Sequence, residues 1–301
     1  MKLAQLSKKE VIQRLNKGGL RLNVSPFNVC LSSPIPAVAE HLKRLYGSFD
    51  VIDNDVFIDF YTSLEPPSLL RRYFRPQVNF SFDGYIPFKP LPYQQASAMF
   101  EWGLNWCIAS HSNHYVIIHA AVVERNGLAF VFPGTPGSGK STLCAALVCR
   151  GWRLLSDEIA LLSVVDGLVY PVIRPISLKN RSIEVIRSFS PDVVMGQIVN
   201  DTAKGTVAHL CPPDESVGLN QISAKPAKLI FPKYQENSKT DLAPLGKSRA
   251  LLKVAENCFN YNILGVQGFK SLANLIDVSD CYDFKYSSLD EAVTLFTELS
   301  H

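Results

Sequence analysis

Gly134-Thr135-Pro136-Gly137-Ser138-Gly139-Lys140-Ser141-Thr142 fits the G-x-x-x-x-G-K-[ST] phosphate-loop pattern at every fixed position. Glycines let successive backbone N–H groups curl around phosphate oxygens, and a helix opening at the loop adds unpaired donors with partial positive charge. In such a loop Lys140 bridges the β- and γ-phosphates of a nucleoside triphosphate, and the Ser141 hydroxyl is offered to Mg²⁺. Asp157 follows Lys140 by seventeen positions with Glu158 beside it, and His119 precedes the lysine by twenty-one. That leaves room for one helix and one turn between the phosphate lysine and an acid. A carboxylate there can take the proton of an attacking alcohol, or it can serve as a ligand to metal-bound water, which predicts ATP binding without transfer. His119 can orient or tune that acid, or it can be a satisfied core histidine. Arg174, Lys179, Lys204 and His209 are later candidates to clamp the γ-phosphate. Asn16-Lys17 is followed by Gly18-Gly19, so the guanine-reading tetrapeptide Asn-Lys-x-Asp is lacking and ATP is preferred over GTP.

These residues need strands and helices to hold them. Leu128 to Phe132 reads as a buried strand and Ser141 to Arg150 as a helix, giving the strand, loop, helix order that the motif requires. Tyr115 to Val123 reads as one central strand or hairpin arm, turning at Asn126-Gly127 into the loop strand. Trp152 to Asp157 reads as the next strand, adjoining the loop strand in the sheet, with a further hairpin at Asp166-Gly167. Upstream, Ser7 and Glu10 form a capping box with Leu6 and Val11 as its staple, and Gly18-Gly19 ends that helix. Alternation from Phe49 to Tyr61, and again at Val78, Phe80 and Phe82, predicts antiparallel strands. A helix spans about Gln94 to Ala109, and Leu289 to Leu299 is a closing helix signalled by Ser288, Asp290 and Glu291. The stretch from Ser190 to Ser223 is poor in pattern and reads as a mobile loop over the site.

With 301 residues, 47% of them hydrophobic, the chain has the composition of an ordinary globular protein. Thirty basic and 27 acidic residues give a net charge of +3 without long blocks, which argues against nucleic acid as a partner. Asp50, Asp53, Asp55 and Asp59 lack the glycine and distal glutamate of an EF-hand loop, so calcium is not expected there. Seven cysteines without a C-x-x-C pair or metal spacing read as reduced thiols. Charged Lys8, Lys9 and Glu10 occupy the place of a signal peptide's apolar core, and no apolar run reaches the ~18 residues of a membrane span. The expected address is the cytoplasm, with no membrane partner.

At His119-Ala120-Ala121-Val122-Val123, Gly134 to Ser141 and Arg150-Gly151-Trp152-Arg153-Leu154-Leu155-Ser156-Asp157-Glu158, the chain resembles the bacterial HPr kinase/phosphorylase superfamily, specifically its HprK-related kinase A branch. The likeness to that branch extends to Glu101–Trp106, Arg174–Asn180, Lys204–His209 and Asn260-Tyr261. Glu158 stands where HPr kinases have a second Asp. The resemblance implies an α/β protein: a P-loop kinase core of the HPr kinase/PEP carboxykinase-like type over residues 111–301, with a β-rich N-terminal extension, residues 1–110, packed on it. It further implies an ATP- and Mg²⁺-dependent kinase acting on a serine of a small protein or peptide, with Asp157 as general base, His119 and Lys140 assisting, and Ser141, Asp157 and Glu158 near the metal. A homo-oligomer is compatible with it. A nucleotide-gated binding module and a small-molecule alcohol kinase are the competing readings.

Overall fold

In the computed structural model, which describes residues 1–52 and 55–300, the capping box forms as read. Ser7 Oγ accepts the Glu10 N–H at 3.2 Å, the Glu10 carboxylate accepts the Ser7 N–H at 2.7 Å, and α1 (Lys8–Asn16) follows. Asp53 lies outside the described residues. Asp50 pairs with Lys2 at 3.0 Å, and Asp59 accepts the Asn28 N–H at 2.8 Å, so both serve the fold.

The first sheet runs β1 (Leu20–Val24), β2 (Phe27–Ser32), β3 (Phe60–Glu65), β4 (Gln77–Phe82) and β5 (Leu91–Pro92), in that hydrogen-bonded order. β3 and β4 are antiparallel as expected, but β2 and β3 are parallel, because α2 (Pro36–Leu45) makes a crossover between them. The alternation read from Phe49 becomes strand only at Phe60. Ahead of it Asp59 closes onto Asn28 through backbone and side chain, and Val56 is left exposed. After the short α3 (Leu69–Tyr73), α4 (Ala96–His111) buries Phe100, Leu104 and Cys107.

The chain continues through β6 (Tyr115–Ile118), β7 (Ala120–Arg125), β8 (Leu128–Pro133), α5 (Lys140–Cys149), β9 (Arg153–Ser156), β10 (Ala160–Ser163), β11 (Val169–Tyr170), β12 (Ile176–Lys179) and α6 (Arg181–Phe189). It ends with β13 (Val199–Thr202), β14 (Gly205–Leu210), α7 (Asp214–Gly218), β15 (Lys225–Tyr234), β16 (Asp241–Pro244), α8 (Lys247–Ala255), α9 (Tyr261–Val278), β17 (Asp280–Tyr286) and α10 (Leu289–Leu299). The protein is therefore of mixed α/β class. The sheet order is β16-β17-β15-β8-β7-β9, beside smaller sheets β11-β10-β6 and β12-β14-β13.

Three sequence expectations are corrected. The apolar run Tyr115 to Val123 is two strands in two sheets, broken at His119, whose N–H leaves the ladder for Asn257 O at 2.7 Å. β8 and β9 are not neighbours: the Asn126-Gly127 turn, with φ of 56° and 80°, folds β8 back onto β7, and the α5 crossover delivers β9 to the far edge of β7. Residues 190–223 are not a loop but hold β13, β14 and α7, with β14 central in its sheet. Their pattern is weak because Asn200 and Asp201, mid-strand in β13, both face solvent.

β8, β15 and β17 are mutually parallel, and β9 runs with them because β7 is antiparallel to both β8 and β9. One apolar core joins α1, α2, the first sheet and α4 to β7, β8, α5 and α10; a second fills the space between the other face of the six-stranded sheet and α8 and α9. Among the described residues no helix is long and apolar enough to cross a membrane.

Candidate active site

Strand direction decides which side chains can meet. The loop after β8, the bend after β9, the residue before β7 and the last residues of β15 and β17 all fall on one edge of the six-stranded sheet. The C-terminal edge of parallel strands is where open α/β sheets bind ligands.

Gly139 caps α5 with φ 94°, and a Cβ there would sit 2.5 Å from Tyr286 Oη and 3.0 Å from Tyr234 Cβ. Both tyrosine strands grip the loop: the Tyr234 N–H donates to Ser138 O at 2.9 Å, and Tyr286 Oη donates to Gly139 O at 2.9 Å. The first turn of α5 leaves backbone N–H groups without intrahelical partners. Lys140 is buried and donates from Nζ to Gly134 O at 2.8 Å. Burial pushes its pKa down to about 8, against the pull of Asp157 and Glu158.

The loop opens on a cleft of about 800 Å³, a size suited to a nucleotide. Pro136, Gly137, Gly139, Lys140, Ser141 and Thr142 line it, whereas Gly134, Thr135 and Ser138 do not. His119 and Glu158 also line it. Burial first, then Lys140, pulls the His119 pKa down to about 4, so the ring is neutral at pH 7; it lies 5.6 Å from the Phe259 ring. No hydrogen bond joins it to Asp157 among the described residues.

Asp157 does not line the cleft. It is 6% exposed and borders a small polar cavity of about 10 Å³ behind it, with Glu158 and Ser177 shared by both spaces. Its Oδ2 accepts the Ser177 N–H at 2.9 Å, and its Oδ1 has no hydrogen-bond partner. Burial, then Glu158, raises the carboxyl to about 6, against the Ser177 N–H, the nearby Ser141 hydroxyl and Lys179. Glu158 is opposite in character. Burial works against its charge, but Lys179, Lys204 and Arg174 override this and lower the carboxyl to about 2. It accepts from Lys179 Nζ at 3.3 Å and from Asn105 Nδ2.

Of the four later cations, Lys179 and Lys204 reach the cleft, the latter with its ammonium 5.1 Å from the Trp102 ring centroid. Arg174 and His209 do not. Arg174 turns inward to Glu101 O at 3.2 Å and to Asn105, and buried His209, pushed down to about 4 chiefly by burial, carries no charge at pH 7. The sequence reading gave no site role to Ser177 and Asn180, which lie in the Arg174–Asn180 segment, and missed Arg181, Tyr234 and Tyr286; all five are on the cleft wall. The tyrosines are paired in register on β15 and β17, a juxtaposition that exists only once the parallel strands form.

The donor set suits Mg²⁺, which takes hard oxygens and usually only one or two protein ligands beside phosphates and water. The Ser141 hydroxyl and the unpartnered Asp157 Oδ1 are such donors, while Glu158 is already engaged. Among the described residues there is no group of three or more His, Cys, Asp or Glu able to hold a metal unaided. No protein-family model matches the chain, and no curated protein matches it.

Proposed function

We propose that the chain binds ATP with Mg²⁺ in the cleft and transfers the γ-phosphoryl group to a serine-type hydroxyl of a small protein or peptide, as a P-loop kinase akin to the HPr kinase superfamily. The observation that carries this reading is the meeting of a glycine loop, the buried Lys140 and Glu158 at one sheet edge on the wall of a cleft of about 800 Å³, with Asp157 in the adjoining small cavity that shares Ser177 and Glu158 with that wall. Lys140 exchanges Gly134 O for phosphate oxygens, and Lys179 and Lys204 face the charge that develops on the transferring group. The acceptor oxygen forms a bond to the γ-phosphorus as the bond to the bridging oxygen breaks; Asp157 takes the hydroxyl proton and ADP leaves. Mg²⁺, when bound beside Ser141 and Asp157, would neutralise phosphate charge.

The burial of Asp157 behind Ser177 and Glu158 favours a second reading, a nucleotide-gated binding module in which this acid serves the metal alone. Incubation with γ-labelled ATP and candidate small proteins, peptides and alcohols separates the two, because only a kinase moves label to an acceptor. For a kinase, Asp157→Asn abolishes transfer and spares much of the ATP affinity, while Lys140→Ala damages both. Normal transfer by Asp157→Asn would remove the base from the mechanism, and binding of ATP without label transfer to any acceptor would favour the module.

A further inference from the structure

The order of the six-stranded sheet divides the cleft by chemistry. On one side of β8 lie β7 and β9, which bring His119 and Glu158, with Lys179 drawn to the glutamate. On the other side lie β15 and β17, which end in Tyr234 and Tyr286, followed by Ser287 and Leu289. The first end holds Glu158 and Lys179 in contact with one another, and the second is aromatic, bordered by the solvent-exposed Arg181–Glu236 pair at 3.3 Å. Tyr234 is 43% exposed, and its ring is held edge-on to Tyr286 with centroids 5.7 Å apart and planes at 74°. The Tyr234 N–H donates to Ser138 O, so the residue's backbone is tied to the phosphate loop. Tyr286 Oη donates to Gly139 O and Ser287 Oγ to Ser238 O at 2.7 Å, so the hydroxyl donors of both residues are already spent on the protein.

A nucleotide whose phosphates lie on the central loop, with the terminal phosphate toward the lysines, carries its base toward the tyrosines. We propose that this end of the cleft is a base-binding subsite in which Tyr234 stacks on a purine and which does not separate adenine from guanine. The inference rests on the nucleotide reading above and adds to it the residue that holds the base. Stacking uses the π-face that every base has, whereas strong discrimination needs fixed donors and acceptors aimed at base edges. The absence of the guanine-reading tetrapeptide therefore does not make the site selective for adenine.

Isothermal titration of the full chain with magnesium complexes of ATP, GTP and inorganic triphosphate tests this. In the wild type, ATP and GTP bind within about tenfold of one another, and both bind more tightly than triphosphate, as expected where stacking supplies most of the base's affinity. Tyr234→Ala weakens both nucleotides by about fivefold or more and leaves triphosphate unchanged, and Tyr234→Trp restores nucleotide binding. Equal ATP affinity in wild type and Tyr234→Ala overturns the subsite, as does equal weakening of triphosphate, which would place the tyrosine's effect on the loop. A preference for ATP over GTP beyond about a hundredfold overturns the lack of discrimination. If triphosphate binds and neither nucleotide binds better, the phosphate cradle stands and the base subsite falls. If none of the three binds, the nucleotide reading itself fails.

Discussion

Burial lifts the Asp157 carboxyl from its ordinary 3.8 to about 6, so keeping it ionised at pH 7 works against folding. Between those two values the folded state binds more protons than the unfolded chain, and the residue's contribution to stability falls as pH rises through the window. His209, lowered from 6.5 to about 4, has the opposite sign: the unfolded chain takes the proton first, so stability is lost as pH falls from 6.5 toward 4. The two effects offset one another between about 4 and 6. Asparagine at 157 can still accept the Ser177 N–H and has no charge to bury. Asp157→Asn is therefore expected to stabilise the protein at pH 7 by about 1–3 kcal/mol, measured by urea unfolding, with the gain fading toward pH 4. A variant less stable than the wild type at pH 7 would show that the acid is not held ionised against its surroundings. A site residue that weakens the fold is what a trade-off between stability and activity produces.

At the scale of elements, the grip of β15 and β17 on the start of α5 sets the shape of the glycine loop. Gly139→Ala puts a Cβ 2.5 Å from Tyr286 Oη in a backbone with φ 94°, and the Tyr286 ring has little freedom to retreat because it stacks on Phe284 at 5.2 Å and 8°. The variant is expected to lose about 1–3 kcal/mol in urea unfolding and to bind ATP at least about tenfold more weakly than wild type. Wild-type affinity in a correctly folded variant would mean that the tyrosine contact does not shape the loop. This contact also marks where sequence reading ends. The capping box at Ser7, the Asn126-Gly127 turn, the loop and α10 were legible because each is specified by neighbours within a few positions. The break at His119, the insertion of β7 between β8 and β9, and the arrival of Tyr234 and Tyr286 beside Gly139 depend on which strands pair, and no local pattern encodes that. Arg174 and His209 were read as candidates to clamp the γ-phosphate and neither reaches the cleft, because the direction in which a buried polar side chain turns depends on tertiary partners such as Glu101 and Asn105 that no local pattern shows.

Across the whole molecule, residues 1–110 supply the back wall of the candidate site. Glu101 on α4 is buried and accepts from His41 Nε2 at 2.8 Å and from Tyr46 Oη at 2.8 Å and 3.0 Å, both from the α2 region. Burial opposes its charge, but His41 and Arg174 hold the carboxyl below the usual range. Arg174 lies 3.7 Å from Glu101 and also meets Asn105, which in turn holds Glu158. A continuous buried chain of polar contacts thus runs from α2 to the cleft, inside an apolar core that also spans both regions. Removing one member of such a network leaves a buried charge without its partner, at a cost of about 3–5 kcal/mol. Glu101→Ala is expected to destabilise the full chain by that order in urea unfolding. A fragment of residues 111–301 would lose Glu101 and Asn105 together and expose the core surface that α4 covers. We expect that fragment to show no cooperative urea transition and to bind a hydrophobic dye, because Arg174 loses its Glu101 and Asn105 partners and the apolar face is open to water. A cooperative transition in the fragment, at a midpoint near that of the full chain, would instead make residues 1–110 an independent addition, and the polar chain from His41 to Glu158 would then be a contact between two self-sufficient units rather than part of what builds the site.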